Sequence, residues 1–162
     1  MPVSAAETKA PQNPVLRKHI QVVEAPVTAT TACAGLPTRS EIARVVLATL
    51  ERHRTEFTIP LTLDIAGPGA PPDPSAIKVA VSVQVKVGPD ALGKSLAQSV
   101  ETQIGFWATP EPVAPLMGRM LTASAQRPCD EGLGTSIIAN SEHLVQWFAQ
   151  EVAALQRSAA PK

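Results

Sequence analysis

Two runs of strict alternation constrain this chain more than any other feature. Phe57, Ile59, Leu61, Leu63 and Ile65 alternate with Thr58, Pro60, Thr62, Asp64 and Ala66. Ile77, Val79, Val81, Val83, Val85 and Val87 alternate with Lys78, Ala80, Ser82, Gln84 and Lys86. A period of two sends successive side chains to opposite faces of a strand, so each run has an apolar face to be covered and a second face left wet. Between them Gly67-Pro68-Gly69-Ala70-Pro71-Pro72-Asp73-Pro74 reads as a loop. Two long alternating strands on either side of a proline-rich loop predict an antiparallel hairpin. Pro60 has no N–H to give to a ladder, which assigns its position to an edge or a bulge.

Helices must cover the apolar face. The clearest spans 38–53, where Thr38-Arg39-Ser40-Glu41 fits a capping box and Ile42, Val45, Val46 and Leu50 recur at helical spacing, with Leu47 beside them. Two more are expected, Pro112 to Gln126 (Val113, Leu116, Met117, Met120, Leu121) and Ser141 to Arg157 (Leu144, Val145, Phe148, Val152, Leu155), the second capped by Asn140 or Ser141. Pro112 and Pro115 fit only a first turn. His19 to Glu24 is β-prone and opens the fold, with Val27 to Thr30 as its continuation. Residues 91–108 fit both periods: Leu92, Leu96, Val100 and Ile104 are four apart and all even-numbered, while Phe106 extends only the strand pattern.

The expected class is therefore α+β: an antiparallel sheet of three to four strands with helices packed on one face. One domain over 15–157 is expected between a flexible tail at 1–14 and a short tail at 158–162. With no tyrosine and only Phe57, Phe106, Trp107, Trp147 and Phe148 as aromatics, its core relies on Val, Ile, Leu and Ala.

Fourteen basic and fourteen acidic side chains cancel, which removes the long-range field that draws proteins to nucleic acid or anionic membranes. There is no run of 18 apolar residues, so membrane insertion is not expected. Met1 to Pro14 lacks the apolar stretch of a secretory signal. Cys33 and Cys129 are far apart and form no C-x-x-C pair; they could bridge, but no disulfide framework is implied. The cytoplasm is the resulting expectation.

One formal motif is present. Gly88-Pro89-Asp90-Ala91-Leu92-Gly93-Lys94-Ser95 matches G-x-x-x-x-G-K-[ST], whose backbone amides wrap phosphates while its lysine and hydroxyl serve the β/γ-phosphates and magnesium. The strand before it alternates, whereas a nucleotide-binding core uses a strand that is apolar on both faces. A turn between two elements is the better reading. His19, His53 and His143 have no ligand-like spacing to one another or to a cysteine, so no metal and no cofactor is expected. A thiol nucleophile at Cys129 is disfavoured, because Asp130 and Glu131 would raise its pKa. No catalytic set emerges, and the chain is expected not to be an enzyme.

Taken together, residues 61–156 resemble the SecB-type protein-export chaperones. Leu61-Thr62-Leu63-Asp64 followed by Ile77 to Val87 is similar to that family's central hairpin, and Leu96 to Trp107 is similar to its next strand, with an apolar-rich run, an acidic residue, then glycine and an aromatic. Pro115 to Arg127 and Glu142 to Leu155 fall where the family has its helices. The resemblance implies a non-enzymatic chaperone that binds unfolded or extended polypeptides and assembles as a homo-oligomer, a dimer or tetramer. The groove residues it implies are Ile104, Phe106, Trp107, Met117 and Leu121. The competing functions are an assembly subunit without clients and a nucleotide-binding protein through Gly88 to Ser95.

Overall fold

The computed structural model describes residues 16–67, 69–108, 115–123 and 126–159, the side chains of 115–118, 123 and 159 excepted. The tail expected at 1–14 lies outside the described residues, as do 160–162. The elements run β1 (His19–Val22), β2 (Val27–Ala29), α1 (Arg39–Arg52), β3 (Thr62–Ile65), β4 (Ile77–Pro89), β5 (Ser95–Ala108), β6 (Pro115–Ala123), β7 (Arg127–Pro128) and α2 (Glu131–Ala159). The fold is α+β, and among the described residues seven strands form one mixed sheet whose main path runs β3-β1-β4-β5-β6. β2 continues the rank of β1 along β4, and β7 continues the rank of β6 along β5.

The sheet is larger than the expected three to four strands and is not purely antiparallel. The expected hairpin of 57–66 with 77–87 does not form: β1 lies between β3 and β4 and pairs with both in parallel. β3 is also short, because Phe57 to Leu61 precede the ladder. A parallel connection needs a crossover on one face of the sheet, and α1 supplies it between β1 and β3.

β4 and β5 form the long antiparallel pair, from Ile77 opposite Ala108 to Pro89 opposite Ser95. Residues 91–108 are thereby resolved as a turn and a strand. The expected helix over 112–126 is replaced by β6, which pairs antiparallel with β5. Its apolar residues also suit a strand, and the open side of β5 gives that strand a partner, so tertiary pairing overrides local period. The last helix is longer than expected and begins at Glu131. Asp130 precedes it, and its carboxylate accepts from the Gly132 N–H at 2.9 Å. Ser141 is therefore mid-helix, its hydroxyl donating to the Ile137 carbonyl at 2.9 Å.

Register divides the sheet cleanly. Ile20, Val22, Ile77, Val79, Val81, Val83 and Val85 share one face with Val100, Thr102, Ile104 and Phe106. Both helices cover this face: Ile42, Val46 and Leu50 of α1 and Leu144, Phe148 and Val152 of α2 join the same buried cluster. Phe106 meets Phe148 edge to face at 4.6 Å between ring centroids. The capping box of α1 forms as expected, with Glu41 N–H donating to Thr38 Oγ1 at 3.0 Å and Thr38 N–H to Glu41 Oε1 at 2.7 Å. These bonds hold the Glu41 carboxyl below its usual range.

A disulfide joins Cys33, in the loop between β2 and α1, to Cys129 just before α2, with 5.1 Å between Cα atoms. The backbones meet closely here. Gly35 has φ +85°, and a Cβ on Gly134 would lie 2.3 Å from the Gly35 carbonyl oxygen. Only glycine permits that approach.

Candidate functional site

The face of the sheet that neither described helix covers, the uncovered face, carries a polar cluster that sequence spacing does not reveal. Alternation aims His19 and Gln21 of β1, Asp64 of β3 and Lys78 of β4 away from the helices. The loop before β4 folds over them. His19 Nδ1 lies 2.6 Å from Asp73 Oδ2 and Nε2 lies 2.8 Å from Asp64 Oδ1. Gln21, only 1% exposed, accepts from Asp73 N–H at 2.9 Å and donates to the Pro71 carbonyl at 3.1 Å and to Asp64 at 3.2 Å. Lys78 Nζ, on a side chain that is also buried, donates to the Asp73 carbonyl at 2.7 Å. Asp73 Oδ1 accepts from both the N–H and the hydroxyl of Ser75.

Burial pushes the His19 pKa down, but the hydrogen bonds to Asp73 and Asp64 and their charges outweigh it and leave the value raised. Asp73 is held far below the usual carboxylate range, first by its bond to His19 and then by Ser75. Beside the cluster a cleft of about 480 Å³ is lined by Leu16, Arg17, Lys18, Thr62, His19, Asp73 and Ser75. Both imidazole nitrogens already face carboxylates, so neither is left to take a proton from a bound molecule. The arrangement is a clamp that fastens the proline-rich loop to the sheet. Asp64 and Asp73 both sit in segments read as strand and loop, yet their meeting at His19 depends on the parallel β1–β3 pairing, which alternation alone cannot supply.

The implied groove residues are divided by the sheet. Ile104 and Phe106 are wholly buried on the helix side. Leu121 packs partly against that same core. The side chain of Met117 lies outside the described residues. Of the four whose side chains are described, Trp107 alone points to the uncovered face, where it is half-buried opposite Lys78. Met120, which the sequence reading placed on a helix, pairs with Gln103 on that face and is 50% exposed.

Gly88 to Ser95 closes the β4–β5 hairpin, and a strand rather than a helix follows it. The Asp90 carboxylate accepts from the N–H groups of Leu92 and Lys94, both at 2.8 Å, and Gly93 takes φ +81°. A phosphate loop needs such amides free and a helix behind them. Cys129 is held in the disulfide and is no free thiol. Among the described residues no group of three or more His, Cys, Asp or Glu side chains is placed to hold a metal ion.

Two further clefts flank β2. One of about 410 Å³ lies between Pro26, Val27 and Thr28 and the entry to α1 at Leu36, Pro37, Thr38 and Arg39. The other, about 250 Å³, lies on the uncovered face among Pro26, Thr28, Ser82, Val83, Gln84, Glu101 and Gln103.

No protein-family model and no curated protein matches this chain. Among solved structures it is similar to a neuraminyllactose-binding hemagglutinin homolog from Helicobacter pylori, at 13% identity over 93% of this chain and 91% of the other, with a TM-score of 0.48. A PelC dodecamer from Paraburkholderia phytofirmans is similar at 12% identity, covering 82% and 86%, with a TM-score of 0.43. A DUF330 protein from Xanthomonas campestris is similar at 12% identity, covering 93% and 94%, with a TM-score of 0.42. These likenesses concern chain path and imply nothing about binding, activity or assembly.

Proposed function

We propose that this chain is a non-enzymatic binding domain for unfolded or extended polypeptide segments. The observation that carries the reading is the open sheet: among the described residues nothing pairs with the outer side of β6 or the outer side of β2. Unpaired strand edges offer N–H and C=O groups in register for an added strand. Half-buried Trp107 and exposed Met120 add apolar surface on the uncovered face, and methionine suits variable partners because it is flexible and polarisable. Ile104 and Phe106 serve this function only by holding the sheet against the helices.

The test separates two adjacent aromatics. Phe106→Ala should cost about 3–5 kcal/mol of stability, as loss of a buried aromatic does. Trp107→Ala should cost no more than about 1 kcal/mol and should weaken binding of a reduced, alkylated and permanently unfolded polypeptide. Equal loss of stability in both variants, or unchanged binding in Trp107→Ala, would sink the reading.

The cysteines bear on location. Among the described residues no helix is long and apolar enough to cross a membrane. The cytoplasm expected from the sequence is a reducing compartment, in which structural bridges such as Cys33–Cys129 are rare. The bond therefore favours an oxidising compartment. Protein isolated from cells quenched with a thiol alkylator should carry no label at Cys33 or Cys129, and full labelling would restore the cytoplasmic reading.

A further inference from the structure

We infer that the outward edge of β2 is a docking site for an extended, carboxylate-bearing segment of a partner polypeptide. The inference rests on the binding reading above and adds a place and a chemistry to it.

The backbone sets the place. Val83 N–H donates to the Pro26 carbonyl at 3.1 Å and Thr30 N–H donates to the Val85 carbonyl at 3.0 Å. In a parallel ladder the bonding residues of one strand alternate, so Pro26, Thr28 and Thr30 turn their groups to β4. The N–H and C=O groups of Val27 and Ala29 then point the other way. β3 could have met them, but it ends at Ile65, bonds once more through Ala66 N–H to the Val22 carbonyl, and turns away at Gly67 to Ala70. The rank that β3 fills beside β1 is thus empty beside β2, among the described residues. An edge of this kind accepts an added strand through main-chain bonds.

The walls set the chemistry. The cleft along this edge is bounded by half-buried Leu36 and buried Pro37, so side chains of an added strand that face the helices meet apolar surface. Among the described residues Arg39 is the one charged side chain lining it, and it is exposed. The Glu41 carboxylate is bonded to the Thr38 N–H, and among the described residues Arg39 forms no ion pair with it or with any other carboxylate. Because the net charge of the chain is zero, attraction for an anion is local to this rim rather than general. A strand with a carboxylate level with the start of α1 satisfies both the edge and the guanidinium.

The experiment uses the full chain and two short fluorescein-labelled, β-prone peptides that differ only in a central aspartate or lysine, read by anisotropy. Ala29→Pro removes an outward N–H and obstructs pairing while sparing the bonds to β4, and proline is tolerated on an edge. Arg39→Glu suits a first helical turn, so it should fold normally; circular dichroism checks both variants. The aspartate peptide should bind, Ala29→Pro should weaken it at least about tenfold, a change of about 1.4 kcal/mol, and Arg39→Glu should weaken it about fivefold while favouring the lysine peptide.

Equal binding by wild type and Ala29→Pro overturns the site. If the unfolded polypeptide still depends on Trp107 in that case, the general binding reading survives. If neither peptide nor unfolded polypeptide binds, both readings fall. A light-scattering mass of two chains that drops to one in Ala29→Pro assigns the edge to a second copy and also overturns the proposal.

Discussion

Thr102 faces the helices from the middle of β5, fully buried, and its hydroxyl has no hydrogen-bond partner among the described residues. A buried hydroxyl left unpaired costs about 1–3 kcal/mol. Thr102→Val keeps the shape and the β-branching and removes that cost. The variant should be more stable by about 1 kcal/mol in urea denaturation, and a loss of stability would mean that the hydroxyl is satisfied in solution. The position also shows what a sequence can say at this scale. Even-numbered residues share a face along the regular run from Val100 to Phe106, so Ile104 and Phe106 lie together with Trp107 opposite, while the bulge between Ala97 and Ser99 brings odd-numbered Ala97 onto that same face. Which face is covered depends on the helices, and alternation does not say.

At the scale of elements, the start of α1 is legible because it rests on local chemistry, the reciprocal bonds of Thr38 and Glu41. β4 is legible as a strand from its alternation, while β5 is not: residues 91–108 fit both periods, and only the pairing with β4 decides between them. Pairing was not legible: a proline loop between two alternating runs suggests a hairpin, but adjacency in sequence is no guarantee of adjacency in the sheet. β6 is not legible as a strand, because Leu116, Met117, Met120 and Leu121 satisfy a helical spacing, while the open side of β5 demands a strand. The loop before β4 was read correctly as a loop, yet its fastening by His19 needed the fold.

That fastening has a pH dependence of definite sign. His19 faces Asp64 from β3 and Asp73 from the loop, while Lys78 from β4 bonds the Asp73 carbonyl and Arg17 donates to the Ala76 carbonyl. The folded pKa of His19 is raised, so its contribution is fully present below about 6.5 and is lost as pH rises through the folded value. Asp73 is depressed, so its contribution is present above about 3.9 and fades as pH falls. The thermal midpoint should fall as pH rises above about 6.5, and His19→Asn should flatten that fall. An unchanged alkaline slope in the variant would show that the clamp does not titrate there.

For the whole molecule, the Cys33–Cys129 bond encloses α1 and every strand from β3 to β7 in one covalent circuit with a sequence separation of 96. Tension applied to the two ends of the chain therefore bypasses that circuit and runs from β1 and β2 through the sulfurs into α2. Most of the sheet is shielded from the load. When the oxidised protein is stretched to full unfolding, its released contour length should be shorter than that of the reduced protein by about 330 Å, the reach of the enclosed segment. Optical-tweezer traces with and without reductant would measure the difference, and identical lengths would show that the circuit is open in solution. With the bond intact, a single cut in the backbone between the two cysteines leaves one connected molecule.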